Sequence, residues 1–143
     1  MVIYAESSAV LAWLLDEPRA ADVIKTLESA DLVVTSDLTG IECARAIHRA
    51  AMRGLITQVQ ANTLRAALSS AAGQWDRLEL GERVIALASG PFPVEPIRAL
   101  DAIHLASAMV AREVWPEVAV LSLDERVRAN AAAMGHVLLP DAL

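Results

Sequence analysis

Short apolar runs alternate with longer stretches of helical period along this chain. Val2 to Ala5 (VIYA), Leu32 to Thr35 (LVVT), Val118 to Leu123 (VAVLSL) and His136 to Leu139 read as strands. Trp75 to Leu80 (WDRLEL) reads as a further one. Between them lie helical patterns. SSAVLAWLLDE opens with Ser7 or Ser8 as N-cap, and Pro18 suits the first turn of PRAADVIKTLESA. Ser36 or Asp37 caps a long helix that runs to about Arg53 and stops at Gly54. Thr57 opens another, to about Ala72. GERVIALAS is a short helix, GPFPVEP a loop, Arg98 to Glu113 a helix, and Asp124 starts a last one ending at Gly135.

Strands of this kind separated by helices predict an α/β fold. The expected core is a parallel sheet of four to five strands with helices on both faces. The chain shows no repeat, linker or low-complexity segment, so its 143 residues are expected to form one domain, 1–143.

Composition narrows the function. Apolar residues make up 55%, enough for a core with some apolar surface left for a partner or a second copy. The single cysteine, Cys43, excludes an internal disulfide and a cysteine-based zinc cage. The N-terminus MVIYAESS lacks the basic region of a secretory signal, and no apolar stretch is long enough to span a membrane. A reducing, cytoplasmic setting is therefore expected. The net charge of −6 argues against an ordinary basic nucleic-acid footprint. All the basic residues except Lys25 are Arg, however, the type suited to bidentate phosphate contacts.

The acids are placed more informatively than they are counted. Open parallel sheets hold ligands at the carboxyl ends of their strands. Glu6 follows VIYA, and Asp124 follows VAVLSL. Asp124 reads equally well as a helix cap. Glu6 does not, since Glu caps poorly and two serines stand beside it. On a helical wheel, Leu100, Ala102, Ile103, Leu105, Ala106, Met109 and Val110 cover most of the circumference. Asp101, His104, Ala108 and Arg112 share the one remaining strip. A helix apolar nearly all round is a buried helix, so Asp101 is expected to line a cleft. Glu42 is less distinctive. Ile41, Ala44, Ile47, Ala51 and Leu55 predict the apolar side of its helix, leaving Glu42 with Arg45, Arg49 and Arg53 on the opposite side. By pattern alone that side is a solvated face.

The segments IYAESSAVLAWLLDE, TSDLTGIECARAIHRA, IRALDAIHLASAMVA and VAVLSLDERVRANAAAMGHVLL resemble the four acidic blocks of PIN domains. They resemble most closely the toxins of VapBC-type toxin–antitoxin pairs, over almost the whole chain. The resemblance implies a PIN-like parallel sheet and an active site that gathers Glu6, Glu42, Asp101 and Asp124. Ser8 and Ser122 match small hydroxyl residues of the first and last blocks. The family's first acid is normally Asp. Glu6 carries one more methylene, which moves its carboxylate roughly 1.5 Å further from the strand.

Four converging carboxylates call for a cation, and oxygen ligands without a Cys or His set point to Mg²⁺ or Mn²⁺, held by Glu6, Asp101 and Asp124. The resemblance implies a metal-dependent ribonuclease leaving a 5′-phosphate and a 3′-hydroxyl, a cognate antitoxin as partner, and a homodimer. Arg45, Arg49 and Arg53, spaced every four residues, are candidates for holding the RNA backbone. His104 is a candidate for substrate contact or for hydrogen bonding within the wall. Trp13, Trp75 and Trp115 are expected to be packed. A second reading keeps the fold but makes it a catalytically weakened binding module acting through the antitoxin, on the strength of Glu6. A phosphotransfer domain is disfavoured, because Asp-x-Asp is absent after the first strand and Lys25 lies in a predicted surface helix.

Overall fold

The computed structural model describes residues 1–143. Five parallel strands form one sheet: β1 (Val2–Ala5), β2 (Leu32–Ser36), β3 (Asp76–Leu78), β4 (Ala119–Leu121) and β5 (Leu138–Leu139). Their order across the sheet is β3-β2-β1-β4-β5. The central pairings set Ile3 beside Val33 and Ala119, and Tyr4 beside Val34 and Val120. Seven helices connect them: α1 (Ser7–Leu14), α2 (Ala20–Glu28), α3 (Asp37–Met52), α4 (Gln58–Ala72), α5 (Glu82–Ala88), α6 (Ala99–Val114) and α7 (Glu125–Ala133).

Successive strand residues feed opposite faces. Tyr4, Val34 and Val120 pack on Leu105 and Ala108 of α6 and Val127 of α7. Ala5 and Val33 pack on Val10 of α1, Cys43 and Ile47 of α3 and Ala61 of α4. Ile3 and Leu121 meet Ala9 and Val23, bringing α2 to that second face. The predicted α/β class and helix-covered parallel sheet are both present. Trp13 and Trp75 pack together with ring centroids 6.1 Å apart, and Trp115 lies against the α6 face.

The structure corrects several local expectations. Neither Ser7 nor Ser8 caps α1. Glu6 holds the N-cap position without a side-chain cap bond, and both hydroxyls go to carboxylates instead, where charge-assisted bonds are stronger. Pro18 precedes α2 in a tight turn, because Asp16 and Arg19 both adopt left-handed backbone there. Ser36, not Asp37, caps α3. The buried side of α3 is Leu38, Cys43, Ala46 and Ile47, while Ile41, Ala44 and Leu55 are exposed. Small Cys43 and Ala46 flank Ile47 and let the helix lie close to the sheet. That rotation carries Glu42 to the edge of the buried face.

Candidate active site

All four predicted acids lie along the carboxyl edge of the sheet, where strand ends turn into helices. β1 delivers Glu6, and β4 runs through Ser122 to Asp124 at the start of α7. β2 leads into α3, whose second turn carries Glu42. The loop after α5 delivers α6 with Asp101 in its first turn. The acids meet in two pairs.

The first pair is Glu6 and Glu42, joined by His104. Glu42 Oε1 accepts from Ser7 Oγ at 2.7 Å and from His104 Nε2 at 2.6 Å. Glu6 Oε1 lies 3.6 Å from the same ring nitrogen. A carboxylate only accepts, so His104 Nε2 donates to Glu42, and Nδ1 pairs with the Tyr4 hydroxyl at 3.0 Å. Burial alone would raise the Glu42 carboxyl. The bonds from His104 and Ser7, with the fields of His104 and Arg98, outweigh it and hold Glu42 below the usual carboxylate range.

Glu6 is buried and fastened on its other oxygen. Oε2 accepts from Ser122 Oγ at 2.8 Å and from Ser8 Oγ. Ser8 Oγ in turn accepts from the backbone N–H of Leu123 (2.8 Å) and Asp124 (3.1 Å). Ser122 Oγ accepts from the Asp124 N–H at 3.1 Å. The two serines therefore tie the β1 and β4 exits together around the Glu6 carboxylate.

The second pair is Asp101 and Asp124, joined by Arg98. Arg98 Nε donates to Asp101 Oδ2 at 2.7 Å, and Nη2 donates to Asp101 Oδ1 at 3.1 Å and Asp124 Oδ2 at 3.2 Å. Asp124 Oδ1 caps α7, accepting from the N–H groups of Arg126 and Val127. Asp101 and His104 stand one turn apart on α6, which links the two pairs.

No three acids, histidines or cysteines are arranged as a common metal-ligand set. The residues fit a hard divalent cation in a more open way. Asp101 Oδ1 and Oδ2 and Asp124 Oδ2 already converge on one cationic group, and Mg²⁺ is commonly held by one or two carboxylates with water completing its shell.

Arg45, Arg49 and Arg53 are exposed and form no ion pair, leaving their guanidiniums free at the surface. His104 belongs to the wall: it is buried and bonded on both nitrogens. Three contributors went unrecognised in the sequence. Arg98 had a legible signal, standing three residues before Asp101 on one helix face. Ser7 had a weak one, as the neighbour of Glu6. Tyr4 had none, since a buried strand tyrosine reads as core.

The PIN domain family matches residues 3–133. Ribonuclease VapC35 of Mycobacterium tuberculosis is 31% identical over 135 residues, spanning 93% of this chain and 92% of that protein. Among solved structures, VapC20 of M. tuberculosis, described as a sarcin–ricin loop cleaving toxin, superposes with a TM-score of 0.67 at 15% identity, over 94% of this chain and 96% of that one. VapBC2 from Rickettsia felis, solved bound to a DNA fragment from its promoter, gives a TM-score of 0.66 at 8% identity, covering 96% and 97%. Its sequence match over residues 3–133 and the VapC ribonuclease among its relatives place this chain in the PIN-domain family, with the VapC-type toxins.

Proposed function

We propose that this protein is the toxin of a toxin–antitoxin pair, a single PIN domain over 1–143 that hydrolyses RNA phosphodiester bonds with Mg²⁺ or Mn²⁺. The observation that carries the reading is the meeting of Asp101 and Asp124 on the Arg98 guanidinium beside the Glu6–Glu42 pair, at the sheet edge where α/β folds hold ligands.

Asp101 and Asp124 are assigned to the metal, and Glu6, which the family resemblance adds to the ligand set, stands in the other acid pair with Ser8 and Ser122 on one of its oxygens. When bound, a divalent ion supplies water activation and charge stabilisation at the phosphoryl group. The protein's own groups do the rest. Asp101 is nearly buried, so little water screens its charge. Glu42, held ionised by His104 and Ser7, is placed to accept a proton from an attacking water. Ser8 and Ser122 fix Glu6 and the Asp124 backbone in one frame. Arg45, Arg49 and Arg53 offer free guanidiniums to an RNA backbone.

The antitoxin as partner rests on family membership and on the likeness to the promoter-bound VapBC2. Exposed Ile41, Met52, Leu55 and Val59 supply apolar area for that partner or for a homodimer. No helix is long and apolar enough to cross a membrane, and the lone buried thiol suits a reducing, cytoplasmic setting.

The test is RNA cleavage with Mg²⁺, Mn²⁺ or EDTA, using structured and single-stranded substrates. Wild-type protein is expected to cleave only with metal, and Asp101→Asn to lose at least about 100-fold in rate. Cleavage that survives EDTA, or an equally active Asp101→Asn, refutes the mechanism.

A second reading, a binding module with little turnover, is favoured by one observation. Glu6 stands where the family normally has Asp, and one of its oxygens is fully engaged by Ser8 and Ser122. Calorimetry decides between the two: intact antitoxin binding without Mn²⁺ binding selects the module.

A further inference from the structure

Arg98 is the one basic residue inside the acidic edge, and its contacts are unusually complete. Both oxygens of Asp101 and the single Asp124 oxygen not used in capping α7 go to it. None of these three oxygens has another hydrogen-bond partner. They are also the oxygens that a hard divalent cation would take.

We propose that Arg98 is a built-in competitor for that cation: guanidinium and metal ion exchange on the same carboxylate oxygens of Asp101 and Asp124. The inference rests on the metal reading above.

Three physical points support it. A guanidinium within 3.2 Å of these oxygens and a divalent ion bound to them would place like charges in contact, so the two exclude each other. The exchange also has a direction. The Asp101 and Asp124 side chains are 10% and 27% exposed, whereas Arg98 is 60% exposed and on a long flexible stem. The carboxylates stay, and the guanidinium is the partner able to leave. Finally, the backbone below Arg98 is fixed. Glu95 accepts from the N–H groups of Phe92 and Ile97, and Asn130 brackets Val94 by both its N–H and its carbonyl. Arg98 then holds the N-cap position of α6 in extended backbone. Side-chain rotation alone moves it between bound and released states.

The plainer account is an ordinary exposed pair at i,i+3 spacing, contributing little. The two accounts differ in what removal of the charge does to metal affinity. A neutral residue at this position leaves the carboxylates unopposed, so a competitor's loss tightens metal binding, while loss of a passive surface pair changes nothing.

The experiment measures Mn²⁺ binding to the full chain, without RNA, by the electron paramagnetic resonance signal of free Mn²⁺ at fixed pH and ionic strength. Wild type, Arg98→Gln, Arg98→Lys and Asp101→Asn are compared, with circular dichroism as the folding check. Arg98→Gln is expected to bind Mn²⁺ roughly tenfold tighter than wild type, within the usual range of coupling between two ligands. Arg98→Lys, which keeps the charge but loses the fork, is expected to fall between them. Asp101→Asn is expected to lose binding. Affinity of Arg98→Gln within twofold of wild type, with Asp101→Asn still abolishing binding, overturns the exchange and leaves the metal site standing. Absence of Mn²⁺ binding by wild type and Arg98→Gln alike overturns the metal reading itself. If Arg98→Gln fails the folding check, Arg98→Lys alone decides: affinity within twofold of wild type overturns the exchange.

Discussion

The Tyr4–His104–Glu42 chain makes a strong energetic claim. Tyr4 is fully buried, and burial, first of all, pushes its hydroxyl far above its ordinary range. It therefore stays protonated, and His104 Nδ1 is its partner at 3.0 Å. Tyr4→Phe keeps the ring packing but leaves Nδ1 buried without its partner, which costs about 1–3 kcal/mol. With a urea slope of about 2 kcal/mol/M, a loss of about 2 kcal/mol moves the unfolding midpoint down by about 1 M. His104→Leu removes the ring, strands the Tyr4 hydroxyl and leaves Glu42 with Ser7 as its remaining donor, at about 3 kcal/mol or more. In that background Nδ1 no longer exists, so adding Tyr4→Phe should cost less than about 0.5 kcal/mol. At the central loss of about 2 kcal/mol the cycle therefore carries a coupling of about 1.5 kcal/mol, well above the scatter for independent sites. Urea denaturation of wild type, both single variants and the double variant measures it. Costs that simply add, to within about 0.3 kcal/mol, would show that the hydroxyl does not act through the histidine.

Other consequences are sharp enough to check. Burial, helped by the field of Arg112, holds His136 below its ordinary pKa of 6.5. The unfolded chain thus binds the proton more readily, and stability falls as pH drops below 6.5. His136→Gln should flatten the pH–stability slope between pH 7 and pH 5 in urea melts; an unchanged slope refutes the assignment. Burial, then the fields of Glu42 and Glu6, push the Cys43 thiol up to about 12. Native protein should react with a disulfide reagent at pH 8 only as fast as it unfolds, and a fast burst would contradict this. Glu6→Asp shortens the side chain and removes the acceptor for buried Ser122. It should lose about 1–3 kcal/mol in urea melts, although Asp is the family's usual residue; equal or greater stability refutes the bracing role of Ser8 and Ser122.

The layered α/β fold was legible because its strands are short apolar runs and its helices carry clear stops, such as Gly54 and the Thr57 capping box. The orientation of α3 was not. Its apolar residues spread around much of the helix, and only contact with β1 and β2 selects Cys43, Ala46 and Ile47 over Ile41 and Ala44. The same selection decides whether Glu42 is a surface charge or a member of the cluster. Strand ends were overrun because pairing stops where a neighbour stops: β4 ends at Leu121, opposite Leu139, although the run VAVLSL continues through Ser122 to Leu123. Arg98 stood legibly three residues before Asp101, but the partners Tyr4 and Ser7 were hidden for a common reason. Each is an ordinary residue for its element, and only the long-range approach of β1, α3 and α6 gives it a carboxylate or a histidine to meet.

That approach also explains how four carboxylates share one edge of a folded protein. Close like charges are tolerable when each has a donor of its own. Asp101 and Asp124 are opposed by the charge of Arg98, while Glu6 and Glu42 are satisfied by the hydroxyls of Ser7, Ser8 and Ser122 and by the His104 ring. The two solutions differ in kind. Buried hydroxyl and imidazole donors are packed into the core and fix their acids in place. A guanidinium on an exposed stem fixes nothing permanently. The chain therefore folds around one rigid acid pair and one pair whose counter-charge is exchangeable, and the exchangeable pair is where a cation can enter without taking the core apart.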